Sequence, residues 1–464
     1  MKKIVIIGAN NFQMPLIIKA KELGYETHVF AWAEGAVGAA FADYFYPISI
    51  VEKDEILAKC KEIKPDAVIS VASDLATLTV NYLADKLGLV GNSLECTRLS
   101  TNKYEMRKAF LANGVSVPKF AEVAGASEEE IAKIKDFSMP IIVKPTDRSG
   151  SRSINKIENW EEAESGKLKE AIEAATEVSF EKKAIIEEYI DGEEFSAESI
   201  SYKGKHTLLA VTRKRTTGAP HFIETGHIQP AGINNNMLEK VQKEVFAGLN
   251  SLQITNGASH AEFKITPDGQ VKIIEIGARM GGDCIGSDLV KISTGYDFLK
   301  MVIDVALGKA PEFIQVFGDA PLEGEYDASG MSNIDLVPAN LLIQRDRQVV
   351  IDYEWTFRFP IPADFIQYRM IHYYLESDGK RHVLKNRDFY GKAGITAKDL
   401  EIYGEMERNF QNYMKGEHVP LLELYEEVSP GKVEILPYYE QMRIAGAERR
   451  LQVFFDRGEG FREE

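Results

Sequence analysis

The residues best suited to chemistry lie in two acidic segments, AEFKIT and VKIIEI, joined at Pro267-Asp268-Gly269. Both segments are rich in apolar and β-branched residues and read as strands, and the Pro-Asp-Gly turn makes the pair a hairpin. With a loop from Pro267 to Gln270, Glu262 and Glu275 face each other on one side of the sheet. Two directly opposed carboxylates repel unless a cation lies between them. Carboxylate oxygens completed by phosphate and water suit Mg²⁺, which seldom takes an all-protein cage. The bland alternative is a solvated face with two glutamates, but IIEIGARMGGD runs on into apolar and glycine-rich sequence, which favours a metal pair.

Two further segments could handle a nucleotide. Lys144 ends the apolar run PIIVKP and is followed by DRSGSRS, where Gly150 sits between Ser149 and Ser151. Such a loop can fold over phosphates with its N–H groups and hydroxyls while the lysine supplies a point charge. Alone it is equally well an ordinary turn. In AIIEEYIDGEEFSAESI a hydrophobic strand breaks at Asp191-Gly192 and restarts. A strand edge turning there can offer backbone groups to an adenine, and a glutamate just beyond can accept from ribose hydroxyls; Glu188 and Glu193 read as solvent-facing.

Two kinds of element must position these groups. From residue 1 to about 95, apolar runs at 4–7, 27–30 and 67–71 alternate with helical patterns at 15–23, 54–63 and 74–87, the βαβ rhythm of a parallel sheet covered by helices. The first turn, GANNFQMP, has Asn10 and Gln13 where the dinucleotide fingerprint needs glycines, so the shape is Rossmann-like but NAD is not expected. From about 101 to 310 the pattern is α+β, with strands at 140–145, 152–157, 184–190, 194–202, 258–266 and 270–276 and a helix at 237–252. Beyond 315 the chain is rich in aromatic and charged residues, with a charged helix near 398–414. At 464 residues the chain exceeds a single core, and three or four modules are expected.

The formal net charge of −16 excludes a phosphate-backbone partner, whose binding needs clustered Lys and Arg. Cys60, Cys96 and Cys284 are too few and too scattered for zinc or a disulfide framework and read as buried small hydrophobes in a reducing compartment. The apolar run of MKKIVIIGAN ends at Gly8 and reads as a first strand, not a signal peptide, and no stretch approaches a membrane span. A cytoplasmic location is expected, with no nucleic-acid or membrane partner; the assembly is left open, a homodimer included.

In order and spacing, these segments resemble the ATP-grasp superfamily, and within it carboxylate-amine ligases similar to L-amino-acid (dipeptide) ligases. The resemblance covers about residues 1–310. It implies an α/β and α+β chain: a Rossmann-like domain at 1–100, a two-subdomain ATP-grasp domain at 101–312, and a C-terminal extension of unknown role at 313–464. It assigns ATP phosphates to Lys103, Lys144 and the Ser149-Gly150-Ser151 loop, adenine to Glu187 and the backbone of Tyr189 and Ile190, and ribose to Glu194. Glu262 and Glu275 take Mg²⁺, for which Mn²⁺ can substitute. Arg279, four residues on, steadies the transferring phosphoryl group or acyl phosphate, with Gly281, Gly282 and Asp283 as weaker substrate contacts. The segment HFIETGHIQPA resembles the ligases' substrate-side loop, which makes Glu224 and His227 catalytic candidates.

The implied reaction is formation of an amide through an acyl phosphate, with release of ADP and phosphate. Alternatives are a purine-biosynthesis-like ligase, a biotin carboxylase relative, or modification of a bacterial surface-glycan precursor. The glycan reading rests on a faint likeness of residues 341–415, through DYEWTFRFPIP and MERNFQNYM, to an extension of some bacterial glycosyltransferases.

Overall fold

The computed structural model describes residues 1–150, 152–219, 222–312, 328–329, 332–344, 347–350, 355–357, 361–376 and 379–415. Ser151 and most of DYEWTFRFPIP therefore lie outside the described residues. The chain divides into two compact units, Met1–Ile314 and Gln315–Glu464.

The first unit opens with a parallel sheet ordered β3-β2-β1-β4, from β1 (Lys3–Ile7), β2 (Glu26–Phe30), β3 (Tyr44–Tyr46) and β4 (Ala67–Ile69). The apolar run Ile4–Ile7 is buried throughout, as expected of a strand covered on both faces. Around the sheet lie α1 (Met14–Glu22), α2 (Lys53–Ile63) and α3 (Asp74–Leu87), followed by α4 (Leu94–Thr101) and α5 (Lys103–Ala112). The short β3 has no counterpart in the sequence reading, because three residues are too few to show a period.

Next come β5 (Phe120–Val123), β6 (Ile141–Pro145), β7 (Asn155–Ile157) and β8 (Ala184–Glu188), antiparallel in the order β5-β8-β6-β7. The strand expected at 152–157 is shorter, beginning only at Asn155. The third sheet, ordered β11-β10-β9-β12-β13, comprises β9 (Glu193–Tyr202), β10 (Lys205–Thr216), β11 (Glu224–Ile228), β12 (Gly257–Ile265) and β13 (Val271–Gly277). One face packs Phe195, Ala197, Val211, Ala261, Phe263 and Ile276 against Val241, Val245 and Leu249 of the helix Asn235–Ser251. Because strand side chains alternate, the other face carries the polar residues between them.

A separate cluster joins the first sheet to the third. Ile4, Ile6, Ala67 and Ile69 share it with Ile200, Leu209, Ala258 and Met280 and with the helix Phe298–Ala306.

The second unit, taken alone, holds a core of Ile334, Ile361, Phe365, Tyr368, Ile395, Ile402, Tyr403, Met406 and Phe410 around the helices Ala363–Glu376 and Ala397–Lys415. Buried Arg369 donates from Nε to Glu407 at 2.7 Å. The glycan likeness cannot be followed through DYEWTFRFPIP, of which only Trp355–Phe357, Ile361 and Pro362 are described.

Candidate functional site

The polar face of the third sheet is a row of charges set by strand register. Across β9 and β12, Glu198 lies opposite His260, Ser196 opposite Glu262 and Glu194 opposite Lys264. Across β12 and β13, Glu262 lies opposite Glu275. Across β10 and β11, Lys214 lies opposite His227 and Thr216 opposite Glu224.

The opposition of Glu262 and Glu275 depends on a bulge. Ile265 pairs with Val271 and Phe263 with Ile273, so in a regular ladder Glu275 would fall on the core side with them. A register shift between Glu262 and Phe263 reverses the alternation, so Ile273 and Ile276 both enter the core while Glu275 faces Glu262. The loop itself is one residue longer than expected, Thr266 to Gln270, and the bulge offsets that difference.

Both carboxylates have cationic neighbours. Lys214 Nζ lies 2.6 Å from Glu262 Oε1 and 2.9 Å from Glu224 Oε1. His260 Nε2 approaches the same Glu262 oxygen at 3.3 Å, while its Nδ1 meets buried Glu198, whose other oxygen accepts from the Gly281 N–H at 2.9 Å. Burial raises the Glu262 carboxyl pKa, but Lys214 and His260 outweigh it and hold the group well below the usual range. For His260 the desolvation cost is overcome by Glu198, which pushes the imidazole up. Glu275 Oε2 is 2.9 Å from Lys103 Nζ. A directly opposed carboxylate pair bordering the cavity fits a hard divalent cation.

The cations at the nucleotide end come from helix starts and strand ends. Asn102 caps α5 by accepting from Tyr104 and Glu105, which makes Lys103 the first helical residue. Its ammonium also donates to the Arg148 carbonyl at 2.7 Å, reaching the Gly150 loop. Lys144, at the end of β6, pairs with Glu187. Glu187 is buried between that lysine and Arg107, which further donates to the Ile273 carbonyl at 2.8 Å. Burial raises its pKa, yet the two cations prevail and bring it down to about 2.

Along the expected adenine strand the Glu187 carboxylate is paired with two cations and the Tyr189 N–H donates to the Pro140 carbonyl at 2.9 Å, while Glu187, Tyr189 and Ile190 all line the cavity. Lys264 lies over that ring and donates to its hydroxyl at 2.9 Å. Glu194 also borders the cavity, its pKa raised by burial and then by nearby Glu262.

Arg279 is not a free cation. It grips Asp74, the first residue of α3, through Nε at 2.9 Å and Nη2 at 3.1 Å, and the Ala72 N–H donates to the Met280 carbonyl at 3.2 Å. Ala72, Asp283 and Cys284 all have positive φ, a cluster of strained non-glycine backbone around one turn. Cys284 is exposed, contrary to the expectation of three buried thiols, whereas Cys60 and Cys96 are buried.

Glu224 and His227 lie on β11, not in the loop expected from HFIETGHIQPA: Thr-Gly in the middle masks an edge strand paired to β10. Glu224, His227 and Asp283 each bring one ligand atom within 4.8 Å of the others. His227 Nε2 is 3.4 Å from Glu224 Oε2.

These groups converge on one cavity of about 270 Å³. It is lined by Lys103, Lys144, Ser149, Gly150, Glu187, Tyr189, Ile190, Glu194, Glu224, Glu262, Glu275, Arg279, Gly282 and Asp283, whereas His227 and Gly281 are not among the lining residues. The sequence reading did not single out Arg107, Asp74, Lys214, Glu198 or His260. For His260 and Lys214 the signal was present, since His260-x-Glu262-x-Lys264 and Thr212-x-Lys214-x-Thr216 share a face by strand alternation.

Residues 137–288 match the ATP-grasp domain family. The chain is 27% identical to alanine–anticapsin ligase of Bacillus subtilis, over a region covering 57% of this chain and 61% of that ligase. It is 26% identical to formate-dependent phosphoribosylglycinamide formyltransferase of Sulfurisphaera tokodaii, over 54% of this chain and 64% of that enzyme. The chain thus spans less than two thirds of the length of either curated relative. Among solved structures, L-amino acid ligase from Bacillus licheniformis superposes with a TM-score of 0.58 at 24% identity, covering 78% of this chain and 91% of the ligase. Phosphoribosylglycinamide synthetase from Anaerococcus prevotii does so with 0.56 at 22% identity, covering 76% and 90%. This chain carries an ATP-grasp domain, and its fold is the ATP-grasp fold.

Proposed function

From the ATP-grasp domain as premise, we propose that this protein is an ATP-dependent carboxylate-amine ligase acting on an amino acid. The observation that carries the reading is the single cavity in which Glu262 and Glu275 oppose each other, Lys103, Lys144 and Arg279 surround them, and Glu224 borders the same space. The similarity to alanine–anticapsin ligase and to L-amino acid ligase supports the substrate class.

In the proposed reaction a substrate carboxylate oxygen attacks the γ-phosphorus of ATP, the bond to the β,γ-bridging oxygen breaks, and ADP leaves. Lys103 and Lys144 hold phosphate oxygens, and Lys103 ties that charge to the Gly150 loop. Glu262 and Glu275 would hold Mg²⁺, which when bound would neutralise charge on the phosphates. Arg279, oriented by Asp74, presents its planar donors to the developing acyl phosphate. An amine then attacks the acyl carbon, phosphate departs, and the amine's proton passes to the Glu224–His227 pair. Glu224 is also the acceptor for a substrate ammonium, and the Gly150 loop excludes water that would hydrolyse the intermediate.

The test is ADP formation from MgATP across amino acids added singly and in pairs, with a phosphoribosylamine included for the purine-type relatives, and mass spectrometry of the products. An amide with stoichiometric ADP and phosphate is expected. AMP with pyrophosphate, or no response to any amino acid, would overturn the reading.

A further inference from the structure

Lys214 occupies an unusual position for a lysine. It lies on β10 inside the third sheet, its side chain 1% exposed, with one ammonium bridging two carboxylates from different strands. Both contacts fall on single oxygens, Oε1 of Glu224 and Oε1 of Glu262. A Lys ammonium has three donors and no acceptor, so it can serve both carboxylates at once or lean on one of them.

Resting on the functional reading above, we propose that Lys214 is a resident counter-ion shared between the metal-facing Glu262 and the substrate-facing Glu224, coupling occupancy of one carboxylate to the other. A divalent ion arriving at Glu262 competes with the ammonium for the same carboxylate and drives it toward Glu224. A substrate ammonium at Glu224 drives it the other way. The linkage is reciprocal and negative for two cations.

The experiment is a double-mutant cycle on metal affinity, read by electron paramagnetic resonance of free Mn²⁺ with the metal alone as probe. Lys214→Met should tighten Mn²⁺ binding, on the order of tenfold, because Glu262 loses its competing cation. Glu224→Gln should weaken Mn²⁺ binding, since Lys214 then belongs wholly to Glu262. In the double variant Glu224→Gln should have little further effect, because the carrier of the coupling is gone. Equal effects of Glu224→Gln with and without Lys214 would show direct charge–charge action and overturn the proposal, as would unchanged or weaker Mn²⁺ binding in Lys214→Met. Glu262→Gln separates the two levels: if it leaves Mn²⁺ affinity unchanged, the metal assignment fails and the coupling with it, whereas a sensitive Glu262 with an additive cycle defeats the coupling alone. If Lys214→Met does not fold, Lys214→Gln, which keeps a donor for either carboxylate without the charge, takes its place in the cycle.

Discussion

The Glu187 ion triad invites a quantitative test through Glu187→Gln. The carboxylate is buried between Arg107 and Lys144 and titrates at about 2 against an ordinary 4.5. At about 1.36 kcal/mol per tenfold, that difference corresponds to about 3 kcal/mol of stability at neutral pH. Removing the charge leaves two cations facing an amide, and breaking a buried pair from one side typically costs about 3–5 kcal/mol, so the two routes agree. With a urea dependence of about 3 kcal/mol/M, the unfolding midpoint of the first unit should fall by about 1 M. The pH dependence checks the cause. Since the folded value is depressed, the contribution is fully present above 4.5 and is lost as pH falls through about 2. The gap between wild type and variant should therefore shrink from about 3 kcal/mol at pH 7 to about 1 kcal/mol at pH 3. A gap that stays constant across that range would refute the argument, because it would trace the loss to packing and not to the charge.

Glu275→Ala should abolish turnover while thermal unfolding stays cooperative, checked by ADP release alongside calorimetry; loss of the transition would make Glu275 structural. Glu224→Gln should raise the KM for the amino-acid substrate by tenfold or more and leave the KM for ATP nearly unchanged, measured by varying each substrate in turn. One thiol of three should react with a disulfide reagent, slowly at pH 8 and faster as pH rises, and Cys284→Ser should abolish that reaction, since burial pushes Cys60 and Cys96 up to about 12 while exposed Cys284 is raised by partial desolvation and by nearby Asp288.

The legible part of the molecule was the part written in local pattern. Ile4–Ile7 announced a buried strand, Pro267-Asp268-Gly269 a turn, and a loop taken as Pro267 to Gln270 placed Glu262 against Glu275. The register nevertheless came through a compensation, a longer loop offset by a bulge, which no local pattern specifies. Partners distant in sequence were invisible for the same reason: Asp74 and Arg279 are 205 residues apart, Arg107 and Glu187 are 80 apart, and only the fold joins them. Those pairings orient two expected ligand contacts, Arg279 and Glu187, both of which line the cavity. Edge strand β11 was hidden by Thr225-Gly226, a dipeptide that favours turns until a neighbouring strand supplies the hydrogen bonds.

The core shared by the first and third sheets bears on how this chain could be dissected or recombined. Ile200, Leu209, Ala258 and Met280 bury their side chains against Ile4, Ile6 and Ile69, and the Arg279 guanidinium is paired by a carboxylate from α3. A fragment starting near residue 101 would expose that apolar surface to water and leave Arg279 without Asp74. It should accumulate in inclusion bodies, and grafting the N-terminal sheet of a distant relative should fail unless its partners across the seam travel with it. A cut at the more obvious boundary in the sequence would therefore divide one shared core.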